Sequence, residues 1–470
     1  MSDILAFGVQ YGLWVFLFVL AALVPVLGVG LTLTRPALLT LAYISILLSF
    51  GQSNYGALEI DRTIYSRGTG QLFFSFLTWI LMGLAALGPF LARWSSKKPV
   101  PTNLGIPFMM LALLFAGHLI ASPRDVNIFD VLSSNGFINL LFLGLLVYVM
   151  TRTLNERFHL IWLEWLLLSV GAVRATYGLV RWAVLGGDPA NFYENRQHLG
   201  VKLTYFDICD SMIAGVVLVY CLRRLFANWG AMRVFERLLL ITLATMEFSI
   251  IALSYRREAW GGLALLLAFF ALLLPLRQRI AVTVVAPFLA LAVLIVASTR
   301  LGKVAHGQGL SEQFLFDLYS GGSHGREPVR AIELKAALET ILDNPMLGVG
   351  AWGRYRGAVH IPWQIGPDAF SFVHSGILHI LLKTGLVGAA IVSAALFFFI
   401  RFVIYARRTL ADRDRWLVDA ALAGLIFMIV DFLIGTPIIQ FRTMLLCGVM
   451  IAIPYLVAEI ARRERAISTQ

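Results

Sequence analysis

Two adjacent arginines, Arg256 and Arg257, lie in a five-residue hairpin, 255–259, between two long apolar segments. A guanidinium group offers a planar pair of N–H donors that can bond to two oxygens of one phosphate. The hairpin therefore predicts a site for a phosphate or diphosphate group at a membrane boundary. The sequence leaves an alternative open, in which these side chains contact lipid phosphates or pair with Glu258.

A long polar, glycine-rich segment, 299–373, carries a second group of arginines. Arg326 and Arg330 are about one helical turn apart near the start of a predicted helix. Arg354 and Arg356 follow a Pro/Gly-containing turn and are typical of a solvated charged face. A connection of this length without a purpose of its own is uncommon, so the segment is expected to take part in function.

The helix in this segment is predicted over 328–342. One stripe of it is apolar, and three charged residues, Arg330, Glu333 and Lys335, lie off that stripe. The stripe consists of Leu334, Ala337, Leu338 and Ile341. Pro345 ends the helix, and the glycines that follow permit positive φ or close backbone approach. The helix is expected to lie against the outer surface of a membrane bundle.

His374 stands where the polar segment leads into the next apolar span, in the first turn of the predicted helix. An imidazole exchanges protons near neutral pH and can accept one from a hydroxyl group. His374 is therefore a candidate general base. A histidine that only caps or anchors the helix is the alternative, and His379 is assigned to packing.

The composition places these residues on a membrane-embedded scaffold. Of 470 residues, 59% are hydrophobic and 14% charged, whereas soluble proteins are about 45–50% apolar and about 25% charged. The mean hydropathy is +0.80. A water-soluble multidomain enzyme is thereby excluded, and Cys209, Cys221 and Cys447 have no spacing typical of a disulfide framework or a zinc site.

Twelve or thirteen stretches are long and apolar enough to cross a bilayer. They lie at approximately 11–33, 36–51, 71–92, 104–122, 136–151, 160–180, 205–222, 238–254, 259–276, 280–298, 384–406, 417–435 and 444–460. The first is expected to be a retained span, and the second is short enough to tilt or dip. The sequence predicts an all-α polytopic membrane protein in three parts: the bundle 1–298, the outer segment 299–373 and the last helices 374–470.

The orientation follows from the distribution of Lys and Arg between alternate loops. One set of loops carries twenty of these residues, and the opposite short loops carry eight. The richer set is predicted to be cytoplasmic, together with the C-terminus, so 299–373 lies on the outer side. The net charge of +11 is then mainly a topology signal, and no nucleic-acid partner is expected.

The order of these motifs resembles the O-antigen ligase and polymerase superfamily. The shared elements are an arginine-led helix, the turn 343–350, and His374 eleven residues before a Gly-Leu-x-Gly run at 385–388. The run Arg257-Glu258-Ala259-Trp260 is similar to a family hairpin. The motifs cover roughly 254–388. The chain departs from the family pattern at Arg256 and Glu258, which flank Arg257, and at Ser375, which follows the histidine.

The resemblance implies a glycosyltransferase of the GT-C type in the bacterial inner membrane. Its donor would be a glycan on undecaprenyl diphosphate, used at the periplasmic face without a metal or other cofactor. By position, His374 would be the general base and Arg257 a diphosphate contact, with Arg256 beside it. Arg326 or Arg330 would be the loop arginine, and Arg196 would be a further one.

Several acceptors and two other functions stay open. The acceptor could be another glycan, a lipid A core or a protein hydroxyl, so polymerase, ligase and protein O-oligosaccharyltransferase all remain. A lipid-linked sugar transporter would use ionisable groups inside the bilayer, and a scaffold would need none of the site residues. The intramembrane candidates are Glu164, Arg174, Asp207, Asp210, Glu247, Asp419 and Asp431. Outward acidic residues form no Asp-x-Asp metal pair, and Asp412-Arg413-Asp414 is assigned to the cytoplasmic surface.

Overall fold

The structure is a computed structural model of the chain. It describes residues 35–51, 76–94, 105–120, 138–188, 202–204, 208–280, 329–357 and 370–468, with single helical positions between 282 and 295. Within these ranges all repetitive secondary structure is helical.

Thirteen α-helices are bounded within the described part of the chain, and a further helical stretch covers 276–280. They are α1 (Pro36–Ser49), α2 (Phe76–Trp94), α3 (Gly105–Ile120), α4 (Ile138–Thr153), α5 (Arg157–Val184), α6 (Ile208–Asn228), α7 (Val234–Ala252), α8 (Arg257–Leu273), α9 (Val329–Asp343), α10 (Gly376–Thr409), α11 (Asp412–Phe427), α12 (Ile429–Ile434) and α13 (Phe441–Ser468). Four described helical segments are long and apolar enough to cross a membrane. These are Arg157–Val184, Gly376–Thr409, Asp412–Ile434 and Phe441–Ile467.

The predicted fold class, an all-α polytopic membrane protein, is confirmed. Eleven of the predicted spans coincide with described helices, and the second is indeed short, since α1 has 14 residues. The span 11–33 lies outside the described residues, and 280–298 does so for the most part. The predicted loop helix 328–342 corresponds to α9.

Helix α6 forms the centre of the bundle. Sixteen of its 21 residues are buried, and α7, α8 and α11 pack around it. Helix α13 packs against α4 and α11 and is also largely buried. By contrast, α10 leaves a row of large apolar side chains exposed, as expected of a helix that faces lipid. They are Leu386, Leu396, Phe397, Ile400 and Ile404.

Charged side chains within the helices are paired near the ends of the bundle. At one end, Asp419 is fully buried, 2.9 Å from Arg223 and 2.7 Å from Arg407. Arg157 pairs with Asp414 in the first turn of the same helix α11. A buried charge is tolerated when it is paired and hydrogen-bonded, so these ion pairs have a structural explanation.

At the other end, Arg442 ties three helices together. It is fully buried in the first turn of α13, although the predicted spans 417–435 and 444–460 leave it in a short outer loop. Its guanidinium lies 3.2 Å from Asp210 Oδ1, which is also 2.6 Å from Arg174. It donates to the carbonyl oxygens of Leu47 and Leu48, at 2.9 and 3.2 Å. Arginine thus satisfies the open carbonyls at the C-terminal end of α1.

Candidate functional site

Helix α9 anchors the described part of the outer segment. The side chains of Ala337 and Ile341 are buried in a small cluster together with Tyr355, Val373 and Leu382. The helix ends at Asp343, and the side-chain amide of the following asparagine donates to a carbonyl of the last turn. Proline then prevents continuation. The helix is therefore held against the start of α10 by its own small apolar core.

The turn after α9 docks onto a break in α10. Gly385 has φ 61° and ψ −160°, so the helix is interrupted there. Interruption leaves backbone groups without helical partners, which is costly at membrane depth unless protein satisfies them. The turn 345–350 supplies those partners through four backbone bonds. These are Val349 N to Leu382 O at 2.8 Å, Gly350 N to Lys383 O at 3.0 Å, Leu386 N to Pro345 O at 2.8 Å and Val387 N to Met346 O at 3.1 Å.

We call this contact between 345–350 and 382–387 the turn–helix junction. Two glycines make it possible. A Cβ on Gly348 would lie 2.5 Å from the carbonyl oxygen of Leu382, and one on Gly385 would lie 2.4 Å from the carbonyl of Met346. Lys383 is buried beside the junction and donates to the carbonyl of Gly353 at 2.7 Å. The junction therefore holds the first two turns of α10 in a fixed position relative to the turn 345–350.

His374 lies immediately before the N-cap of α10. The cap is Ser375, whose side chain accepts from the backbone N–H of Leu378, so His374 itself is neither the cap nor in the first turn. Its Nδ1 lies 2.8 Å from Glu333 Oε2 on α9, and its backbone N–H donates to the same oxygen at 3.3 Å. The His374 side chain is 20% exposed, whereas Glu333 is fully buried.

Tyr355 holds the other oxygen of this carboxylate. Its hydroxyl lies 3.4 Å from Glu333 Oε1, and its ring packs edge-on against Phe370. Burial raises the pKa of Tyr355, and the neighbouring charge of Glu333 and the bond to it raise that pKa further. The phenol therefore stays protonated and can donate to Glu333 throughout the physiological range.

Arg330 lies one turn before Glu333 on α9, so the two side chains leave the same face of the helix. It is partly buried. Within the part of the chain that the structure describes, Arg330 makes no hydrogen bond or ion pair. Arg330 is therefore a candidate anion-binding cation one helical turn from Glu333 on α9.

The arginine hairpin, 255–259, lies near the short helix α12, on the side away from His374. Tyr255 adopts φ 55° at the turn, and Arg256 Nε donates to Glu258 Oε2 at 2.8 Å. Beyond the hairpin, Gly261 packs on Val430 of α12. At the start of α10, Gly376 packs on Phe432 of the same short helix. The hairpin and His374 therefore flank α12 at one end of the bundle.

Comparison with protein families gives a match for this region. A family model described as O-antigen ligase matches residues 238–393. Residues 238–393 are therefore similar to the O-antigen ligase family. The match confirms the resemblance to the O-antigen ligase and polymerase superfamily and supports a glycosyltransferase-like activity on lipid-linked glycans. Comparison with curated proteins finds no match.

The matched region, 238–393, contains the hairpin 255–259, α9, the turn–helix junction and His374. It runs from α7 through the hairpin, α9 and the turn–helix junction into the second half of α10. His374 contacts Glu333 of α9, Arg330 lies one turn before Glu333 on the same helix, and Arg256 is paired with Glu258. Of Arg257, the structure describes only the backbone, as the first residue of α8.

The remaining predicted site residues lie outside the described residues. These are Arg326 and Arg196, so their roles stay predictions. Arg354 and Arg356 are exposed, and Arg356 pairs with Asp343 at 3.2 Å, as a solvated face would. In the described ranges, no three His, Cys, Asp or Glu side chains are grouped so that they could hold a metal ion.

Three of the intramembrane acids that a transporter could use have side-chain partners in the structure. Asp210 and Asp419 are ion-paired, and Tyr220 donates to Glu164. Glu247 is different: it is fully buried on α7, and neither carboxyl oxygen has a hydrogen-bond partner. Asp207 lies outside the described residues. Within the described residues, Glu164, Asp210 and Asp419 thus have partners that explain their burial.

Glu333 and Tyr355 are the residues that sequence reasoning missed. Helical periodicity placed Glu333 off the apolar stripe of α9, yet its carboxylate is fully buried and bonds to His374 and Tyr355. Leu338, assigned to the apolar stripe, is instead 46% exposed. The signal that could have indicated Glu333 is its position one turn after Arg330 on the same face.

Proposed function

We propose that this protein is a membrane glycosyltransferase that moves a glycan from undecaprenyl diphosphate to an acceptor hydroxyl. It would be a multi-pass protein of the bacterial inner membrane with a cytoplasmic C-terminus, and it would act at the periplasmic face. His374 is the general base, and Arg330 and Arg257 bind the diphosphate. The acceptor is a growing glycan or a lipid A core, and a protein hydroxyl is the alternative within the same superfamily.

The reaction requires one proton transfer and one substitution. The acceptor O–H loses its proton to the imidazole, and the oxygen forms a bond to the anomeric carbon of the donor. The bond from that carbon to the diphosphate oxygen breaks, and the electron pair leaves with undecaprenyl diphosphate. Guanidinium groups stabilise the charge that develops on the leaving group. A diphosphate is already a good leaving group, so the second carboxylic acid of a glycosidase is not required.

The observation that supports this proposal most directly is the surroundings of His374. The imidazole is partly exposed while its Nδ1 faces a buried carboxylate, so Nε2 is the nitrogen that can face a substrate. The uncommitted Arg330 lies one helical turn away from that carboxylate. A base and a cationic group are what attack on a diphosphate-linked carbon needs.

Reconstitution tests the proposal. The purified protein is placed in liposomes with an undecaprenyl-diphosphate-linked glycan and, in separate reactions, a second lipid-linked glycan, a lipid A core acceptor or an unfolded protein acceptor. Transfer to one acceptor, seen as a mobility shift on a gel, is expected and identifies the acceptor class. Movement of the donor across the vesicle membrane without any transfer would instead favour the transporter alternative.

Arg330→Lys is expected to lower kcat/KM for the donor by roughly 10-fold to 100-fold, since a hydrogen bond to a charged group contributes about 1.5–3 kcal/mol. A lysine keeps the charge but cannot bond through a planar pair of donors. Arg356→Lys is the matched control, because Arg356 is exposed and pairs only with an exposed aspartate. Equal rates for the two variants would remove Arg330 from the diphosphate site.

Metal chelation is expected to leave transfer unchanged, because arginines rather than a bound cation would meet the diphosphate in this proposal. Initial rates are measured before and after incubation with EDTA, and again after Mg²⁺ is added back. A loss that Mg²⁺ restores would contradict the metal-independent mechanism and direct attention to the acidic residues of the outer side.

A further inference from the structure

We infer that Glu333 is a positioning residue that fixes the orientation and tautomer of His374. The inference rests on the proposed role of His374 as the base and adds a residue to it. Glu333 Oε2 lies 2.8 Å from His374 Nδ1 and 3.3 Å from the His374 backbone nitrogen. One oxygen thus holds both the ring and the peptide of the same residue.

Burial of the Glu333 carboxylate costs free energy, so its position needs a physical explanation. Glu333 has no solvent exposure, and its neighbours on α9, Ala337 and Ile341, belong to an apolar cluster. An apolar residue at this position would extend that cluster. Burial of a carboxylate is tolerated only with good partners, and His374 and Tyr355 both bond to this one. The buried carboxylate of Glu333 therefore lies where it contacts the candidate base, His374.

The chemistry of the contact determines which ring nitrogen can act. A carboxylate has no hydrogen to donate, so the hydrogen between the two groups resides on His374 Nδ1. The neutral imidazole then carries its lone pair on Nε2. When Nε2 takes a proton from the acceptor, the positive charge that forms on the ring lies beside Glu333. The same division of roles between an acid, a histidine and a nucleophile operates in hydrolytic triads.

Tyr355 completes the arrangement from the second oxygen. Its hydroxyl is 3.4 Å from Glu333 Oε1, and its ring is buried in the cluster beneath α9. A donor on Oε1 keeps the carboxylate from turning, so Oε2 stays directed at His374. The contacts therefore run from Tyr355 through Glu333 to His374. In the proposed function, His374 in turn contacts the acceptor hydroxyl.

The experiments below also distinguish a second role for the contact between Glu333 and His374. A carboxylate could instead hold the resting imidazole in its protonated form, as a cation that binds the diphosphate. Loss of Glu333 would then weaken donor binding and raise KM. In the positioning role, loss of Glu333 lowers kcat and changes KM little.

The first experiment compares Glu333→Gln and Glu333→Asp in reconstituted vesicles. Gln keeps the shape but removes the charge and can present its NH₂ group to Nδ1, which stabilises the wrong tautomer. Its kcat is expected to fall by about 10²–10⁴-fold, the range of a general base; the corresponding change in a triad lies at the upper end, at about 10⁴. Asp keeps the charge at a shorter reach and is expected to be the more active of the two. A purely structural role gives the opposite order, because Gln fills the site better than Asp.

The second experiment tests whether Glu333 acts through His374. Glu333→Gln is combined with His374→Ala, and the double variant is expected to be no slower than His374→Ala alone. Glu339→Gln, on an exposed position of the same helix, is the control and should keep the full rate. Multiplicative losses in the double variant, or a rise in KM with kcat unchanged, would overturn the inference.

The two proposals fail in different ways. If His374→Ala is fully active, the base assignment of the proposed function is wrong, whatever Glu333 does. If His374→Ala is slow while Glu333→Gln has the full rate, the proposed function stands and the role of Glu333 is lost.

Discussion

Replacing His374 with alanine is expected to lower the rate of glycan transfer by about 10²–10⁴-fold, which is the range that a positioned general base contributes. The acceptor hydroxyl would then have to lose its proton to water during attack. Donor binding should persist, because the arginines that meet the diphosphate are unchanged. The rate is measured in reconstituted vesicles from the appearance of product on a gel, with donor binding measured separately.

The control for this variant is His379→Gln. His379 is buried in the second turn of the same helix α10, so it tests general sensitivity of this helix to loss of an imidazole. It is expected to keep most of the transfer rate. Equal expression, membrane insertion and thermal unfolding of the two variants exclude a folding defect. A normal rate in His374→Ala would end the base assignment.

Gly385→Ala is expected to cause the second large effect, loss of the turn–helix junction. Its φ and ψ lie in a region that is essentially restricted to glycine, and the strain for another residue is about 1–3 kcal/mol. A Cβ would also overlap the carbonyl of Met346 at 2.4 Å. The turn must then move away, the backbone bonds across the junction are lost, and Glu333 no longer meets His374.

This result is measured by limited proteolysis together with transfer activity. The outer segment of Gly385→Ala should be cleaved faster while the bundle keeps its helical content. Gly117→Ala is the control, because Gly117 lies within α3 and a Cβ there would meet nothing within 4 Å. In a helix interior this change is expected to stabilise by roughly 0.5–1 kcal/mol. Wild-type protease resistance in Gly385→Ala would show that the junction does not depend on this glycine.

The helices were predictable because their signals are local. Apolar stretches of sufficient length predicted the spans, and a periodic stripe bounded by proline predicted α9 within one residue of each bound. The glycine-containing turn was also visible as a helix stop. Its partner at Gly385 belonged to a recognised motif, but nothing local indicated that the two backbones bond to each other.

The contacts that were missed join residues far apart in the chain. Glu333 is 41 residues from His374 and 22 from Tyr355, and Arg442 is 232 residues from Asp210. Helical periodicity considers only the helix that carries a charged residue, and therefore places that residue away from the apolar stripe. Only tertiary packing supplies the partners that allow such a group to be buried. For the same reason, His374 could be proposed as a base, but not its orientation.

The contact between Glu333 and His374 also bears on biogenesis. The two residues come from different elements, α9 and the start of α10, and they meet only after the turn–helix junction has formed. A nascent chain whose spans have left the translocon, but whose outer segment has not yet folded, would lack the oriented imidazole. Under the proposed mechanism such a chain could encounter the lipid-linked donor without consuming it, so competence for transfer would arise last, when assembly is complete.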